Sequence, residues 1–230
     1  MKVELRHSCK DFESYRAARV KSMFNAETGA VWQKSVNIDL PKEWSIGLVV
    51  GKSGSGKTTL GKSIFDTDKI YDPYADWDNS KPIIDCISPE GKFNHVTGAL
   101  AGVGLGDVPS WLRPFKGLSN GQQFRAGLAR VLCEAPDQVV IDEFTSVVDR
   151  QIAKVGALAF GKAWRRNKGK QAVLLSCHYD VIEWLQPDWV YNIDTNELKK
   201  KATSGSGQSF SLTFGRSTVV TGKNLKSITI

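Results

Sequence analysis

The sequence predicts an α/β fold with a mainly parallel sheet, and three observations carry that prediction. The short apolar run Trp44-Ser45-Ile46-Gly47-Leu48-Val49-Val50 reads as a buried strand and leads straight into a glycine cluster. From Ser119 onward, strand-like runs alternate with stretches of helical periodicity, which is the rhythm of parallel strands joined by crossover helices. The apolar run Val139-Val140-Ile141 ends in two adjacent acids, Asp142 and Glu143.

In chain order, Val20 to Phe24 reads as a first strand, and residues 44–50 as the strand entering Gly51. A helix is expected from Lys57 to about Phe65. Residues 66–118 hold five prolines, many glycines and little periodicity, so they read as an irregular accessory lobe with one helix near His95 to Leu100. Phe124, Leu128, Val131 and Leu132 fall at i, i+4, i+7 and i+8, an amphipathic helix with Ser119 as its N-cap and an end near Pro136. A strand over 138–142, a helix over 151–166, a strand over 172–176, a helix over 179–185 and a strand over 189–193 complete the pattern. The domain reading is one catalytic unit, 1–197, followed by a basic Ser/Gly/Thr-rich tail, 198–230. That tail is β-rich, with edge strands expected at Ser209 to Phe214 and Lys226 to Ile230.

Composition narrows the function classes. With 41% apolar and 24% charged residues, the chain has the make-up of an ordinary globular domain. The longest weakly polar stretch, Gly98 to Gly106, is far short of the roughly 20 residues that a bilayer helix needs. The opening Met-Lys-Val-Glu-Leu-Arg is charged and has no apolar signal region, so a cytoplasmic location is expected. Four widely spaced cysteines without a CxxC pair read as reduced thiols. The net charge is +7, of which six cations and no acid lie in 198–230, leaving the rest nearly neutral. The tail therefore reads either as an arm attracted to nucleic acid or another polyanion, or as a solvated surface segment.

Gly51-Lys52-Ser53-Gly54-Ser55-Gly56-Lys57-Thr58 fits the phosphate-binding P-loop pattern G-x-x-x-x-G-K-[ST], placed between a strand and a helix as that loop requires. Its glycines let backbone N–H groups curl round phosphates, continuing through Thr59 into the helix. Lys57 would neutralise the β and γ phosphates and Thr58 would ligate Mg²⁺. Asp142 would hold the same ion, and Glu143 would polarise the attacking water. The expected cofactors are therefore ATP and Mg²⁺.

Leu118-Ser119-Asn120-Gly121-Gln122 resembles the LSGGQ signature of the ATP-binding cassette (ABC) ATPases, and it stands at a helix N-terminus, where an anion is favoured. It starts 24 residues before Asp142, and His178 follows Asp142 by 36, both close to the family's spacing. With a D-loop-like Ser146-Val147-Val148-Asp149, the resemblance covers roughly residues 20 to 195. It implies a P-loop NTPase fold of the ABC type and a head-to-tail homodimer. Each ATP would lie between the P-loop of one copy and the signature of the other, with Ser119, Asn120, Gly121, Gln122 and Asp149 at the shared site and His178 as the switch histidine. It also implies an aromatic residue stacked on adenine, for which Phe24 is favoured over Trp32.

The chain departs from the family pattern in places. Asn120 replaces a glycine, Phe144 stands where a proline often follows the acids, and no glutamine lies between Gly61 and Asn120 to serve as the Q-loop residue; Asp85 is the candidate substitute. Only 67 residues separate Gly51 from Leu118, a reduced helical lobe that argues against a membrane partner. The leading expectation is thus a non-transporter ATPase that moves a protein partner, in nucleic-acid metabolism. The alternatives are the nucleotide-binding subunit of a transporter and an ATP-holding switch without turnover.

Overall fold

A computed structural model describes residues 2–8, 13–25, 31–67 and 70–201. By compactness the chain divides at Lys200/Lys201, and the first unit carries every element given below. Of the second unit only Lys201 is described, so the strands expected at 209–214 and 226–230 lie outside the described residues.

The core is a five-stranded sheet in the order β4 (Gln138–Ile141), β5 (Gln171–Ser176), β3 (Ile46–Val50), β6 (Trp189–Asn192) and β7 (Glu197–Lys200). The first four strands are mutually parallel, and β7 returns antiparallel at the edge. All five residues of β3 are buried, as befits a central strand covered on both faces. Gly47 is required there because a Cβ would lie 2.0 Å from the Trp189 ring on the neighbouring strand. A second sheet pairs β1 (Lys2–Ser8) with β2 (Val31–Asn37) antiparallel, and Val36 and Ile38 bring that layer into the core cluster with Val49, Leu60, Val173 and Tyr191.

Between β1 and β2 the strand expected at Val20 to Phe24 is instead the helix α1 (Tyr15–Phe24). Ser14 caps it by accepting the Ala17 N–H at 3.2 Å, and Asn25 ends it in the left-handed conformation. None of its residues is buried.

The remaining helices are α2 (Lys57–Ile64), α3 (Ile83–Cys86), α4 (Phe93–Gly102), α5 (Val108–Trp111), α6 (Asn120–Glu134), α7 (Arg150–Trp164) and α8 (Val181–Leu185). The accessory lobe is therefore more helical than its sequence suggests: α3, α4, α5 and a 3₁₀ turn at Phe115–Gly117 replace an irregular insert with one helix. Three of these four pieces have only three or four residues, too few to show a period. The lobe is tied to α6 by a cluster around Glu134, whose carboxylate accepts the Ser88 N–H at 2.7 Å and pairs with Arg130 at 2.9 Å. Arg130 in turn lies over the Trp77 ring.

At the far edge, residues 198–200 of the expected tail belong to β7, and Lys200 pairs with Asp39 at 2.8 Å.

Candidate functional site

The glycine-rich turn follows β3 and opens α2. Gly54 and Gly56 have φ of +75° and +92°, a left-handed backbone that a side chain would disfavour, and they reverse the chain within six residues. Helix α2 starts on Gly56 with no side-chain cap, leaving its first N–H groups facing the turn. Lys57 is 8% exposed, and its ammonium donates to the Gly51 carbonyl at 2.9 Å and the Lys52 carbonyl at 2.7 Å. The loop thus folds around its own lysine. The buried Ser55 hydroxyl has no hydrogen-bond partner among the described residues, a polar atom inside the cradle left for something else to satisfy.

Asp142 stands just past β4. Its Oδ2 accepts the Thr58 hydroxyl at 2.6 Å and its Oδ1 accepts the Glu143 N–H at 2.8 Å. Glu143 and Thr145 are both left-handed, with φ of +53° and +71°. For a β-branched residue such as Thr145 this is a strained conformation, costing about 1–3 kcal/mol. The strain is held by Phe144, whose N–H donates to Leu175 at 2.9 Å and whose ring packs on Phe124 and Phe160. A proline at this position would lack that donor, which gives the departure from the family pattern a physical reason. Glu143 is left exposed to the cleft.

A cleft of about 550 Å³ is lined by Ser53, Gly54, Gly56, Lys57, Thr58, Thr59, Asp142 and Glu143, so the two motifs share one wall. The donor set fits Mg-ATP: backbone N–H groups and a lysine for the phosphates, a hydroxyl and a carboxylate oxygen for a hard divalent ion.

Two residues missed in the sequence tie this wall to the two strands that flank β3. Asp194, after β6, accepts the Lys52 N–H at 2.9 Å and the Tyr179 hydroxyl at 3.2 Å. Ser176, at the end of β5, accepts the His178 N–H at 3.1 Å and donates to the Phe144 carbonyl at 3.2 Å. The half-buried His178 therefore hangs on the loop that also anchors the turn after Asp142. An acid just past a strand was the signal available for Asp194, as it was for Asp142.

The signature turn does not line the Lys57 cleft. Ser119 caps α6 in a capping box: its Oγ accepts the Gln122 N–H at 3.4 Å, and the Gln122 Oε1 accepts the Ser119 N–H at 3.0 Å. Asn120 is exposed at the first helical position, and Gly121 is buried where a Cβ would lie 2.7 Å from Ile152 of α7. Asp149 caps α7, accepting the N–H groups of Gln151 at 2.9 Å and Ile152 at 3.0 Å. Phe24 sits at the end of α1 and is 73% exposed, on a helix where a strand was expected, and the side chain of Trp32 lies outside what is described. Asp85, on α3, is exposed.

No family model matches the chain. Among curated proteins it is similar to the oligopeptide transport ATP-binding protein AmiF of Streptococcus pneumoniae, at 27% identity over 66% of this chain and 62% of that protein. It is also similar to the energy-coupling factor transporter ATP-binding protein EcfA1 of Levilactobacillus brevis, at 31% identity over 50% of this chain and 40% of that protein. The chain thus spans less than two thirds of the length of either. Among solved structures, the dimeric bacterial ABC transporter cassette MJ0796 superposes with a TM-score of 0.57 at 16% identity, over 88% of this chain and 100% of that one. Its post-hydrolysis form bound to ADP and Pi gives 0.58 at 15% identity, also over 88% of this chain and 100% of that one. At such identities the likeness is one of fold.

Proposed function

This chain belongs to the ATP-binding cassette family of ATPases, and from that premise we propose that it binds Mg-ATP and hydrolyses it between two copies arranged head to tail. The observation that carries the proposal is the single cleft in which Lys57, Thr58, Asp142 and Glu143 meet, with Thr58 2.6 Å from Asp142.

In this reading the P-loop N–H groups and Lys57 bind and orient the phosphates, and Thr58 and Asp142 hold the metal. When bound, Mg²⁺ neutralises charge on the β and γ phosphates as a Lewis acid. Glu143 accepts the proton of the attacking water, and its left-handed backbone turns the carboxylate away from the strand into the cleft. His178 acts on the γ-phosphate side, positioned by Ser176. The homodimer is supported by what a single copy leaves incomplete: Ser119, Asn120, Gly121 and Gln122 face elsewhere than the Lys57 cleft, so they complete the cleft of another copy.

The test is steady-state ATP turnover with and without Mg²⁺. Metal-dependent hydrolysis lost in Glu143→Gln supports the reading; turnover in that variant at the parental rate removes it.

What closure drives is a finer matter. The relatives named above are transport ATP-binding proteins, which favours the nucleotide-binding subunit of a transporter over the non-transport role expected from the short lobe. Among the described residues no helix is long and apolar enough to cross a membrane, so in that reading the span is supplied by a partner, with the cassette at its cytoplasmic side. Co-purification with a hydrophobic partner distinguishes the two. A role in nucleic-acid metabolism rests on tail charge alone. With Lys199 and Lys200 in β7, it falls to Lys201, Arg216, Lys223 and Lys226.

A further inference from the structure

Gln122 has more work than a capping box gives it. Its Oε1 accepts the Ser119 N–H, and its Nε2 donates to the Ser110 hydroxyl at 2.7 Å. Ser110 belongs to α5 of the accessory lobe and is fully buried at 0% exposure. Its hydroxyl has one proton, which goes to Asp107 Oδ2 at 2.5 Å, so its lone pair is what receives Gln122. Asp107 is the N-cap residue of α5, where a carboxylate ordinarily accepts backbone N–H groups. Here it makes no such cap and holds the Ser110 hydroxyl instead.

The proton order is therefore fixed along the whole chain: Asp107 carboxylate, Ser110 hydroxyl, Gln122 amide, Ser119 N–H. Both ends of the Gln122 amide are committed, which pins its rotamer. Since Ser119 Oγ accepts the Gln122 N–H, the serine's own proton stays free to point out of the turn. A charged terminus at Asp107 strengthens each bond that follows it.

We infer that Ser110 is a positioning residue for the signature turn, through which the accessory lobe sets the orientation that Ser119 presents to nucleotide on a second copy. The inference rests on the head-to-tail reading above and deepens it. A rotation of α5 against α6 breaks the 2.7 Å bond, releases Gln122 and loosens the turn. Lobe position is thereby converted into signature competence without any change at Lys57.

The experiment uses the full chain carrying Glu143→Gln, in which ATP holds the dimer. Dimerisation against ATP concentration is followed by light scattering, and binding to the P-loop of the dilute monomer by a fluorescent ATP analogue. Losing the relay costs about one charge-assisted hydrogen bond, so Ser110→Ala is expected to raise the ATP concentration at half-dimerisation about tenfold. Analogue binding by the monomer is expected to stay at the parental value, while the melting temperature falls modestly because the bonds lost lie within one chain.

Asp107 is exposed, so Asp107→Ala removes the acceptor without disturbing packing and is expected to shift dimerisation the same way. Asp107→Asn keeps an acceptor oxygen without the charge and is expected to lie between the parent and Asp107→Ala. If Ser110→Ala fails to fold, the Asp107 pair decides. A parental dimerisation curve in Asp107→Ala, equal impairment in Asp107→Asn and Asp107→Ala, or equal losses in monomer binding and dimerisation would each overturn the assignment. A Glu143→Gln parent that stays monomeric at saturating Mg-ATP removes the head-to-tail reading, and this assignment with it.

Discussion

Thr58 and Asp142 lie 84 residues apart in sequence, and the hydroxyl of one donates to the carboxylate of the other at 2.6 Å. The bond occupies the two oxygens that would hold a divalent ion, so metal binding there would compete with it. Asp142→Asn keeps the hydrogen bond and removes the charge. Turnover is expected to fall by about 10²-fold and the Mg²⁺ concentration for half-activity to rise. An unchanged Mg²⁺ titration would show that Asp142 is not a ligand.

In the proposed reading Glu143 carries the water-activating role, and the loss of a general base typically costs about 10²–10⁴ in rate. Glu143→Gln is expected to lie in that range while retaining ATP binding, because Lys57 and the P-loop N–H groups are untouched. Single-turnover kinetics checks it, and a rate within the parental error moves the base elsewhere.

Gly156 of α7 faces Phe124 of α6 so closely that a Cβ would fall 2.3 Å from the ring. An aromatic edge cannot bend aside, so Gly156→Ala is expected to destabilise the fold by about 1–3 kcal/mol through overpacking. Urea unfolding measures it. No change in midpoint would mean that the helices separate at no cost.

Alkaline pH should weaken the contact between lobe and core. Burial, with the Glu134 charge second, lifts the Tyr71 hydroxyl from its ordinary 10.0 to about 12 and the Cys133 thiol from 9.0 to about 11. Burial and Asp72 also push Tyr74 up. Because the folded state holds these protons more tightly, their contribution is complete below pH 9 and is lost as pH rises through 11 to 12. Unfolding midpoints are expected to drop across that window, less steeply in Tyr71→Phe. Slow alkylation of Cys133 at pH 8, relative to the same thiol in urea, gives a second check.

Truncation after Lys201 and truncation after Thr195 should differ. The first keeps β7 and the Lys200–Asp39 pair, where the ammonium holds the Asp39 carboxyl below the usual carboxylate range, and is expected to leave ATP turnover intact. The second strips an edge strand from β6 and is expected to lower the melting temperature. Equal behaviour of the two would make β7 dispensable. Unchanged nucleic-acid binding at low salt after the first cut would remove the polyanion reading of the tail.

What the sequence made legible is what it keeps contiguous. Gly51 to Thr58, Asp142-Glu143 and the Ser119 N-cap with its signature turn are each read within a few residues, and the parallel strands announced themselves as apolar runs. The strand expected at Val20 to Phe24 is the end of α1, whose terminal signals, Ser14 and Asn25, lie outside that short window. The short lobe helices offered no period. The ties from Asp194 to Lys52 and from Ser110 to Gln122 join elements that only tertiary packing brings together, 142 and 12 residues apart.

The two glycines where α6 meets α7 are reciprocal: Gly121 of one receives Ile152 of the other, and Gly156 receives Phe124. Each helix begins with a capped turn, Ser119 for α6 and Asp149 for α7. Two turns that would face a neighbouring copy are therefore mounted on a single jaw, its plates keyed together by side chains seated in each other's gaps. In the head-to-tail reading a displacement at Asp149 would be carried to Ser119 by the interlocked helices. In that reading, occupancy of one nucleotide cleft would thereby be reported to the other through the stiffness of the jaw itself.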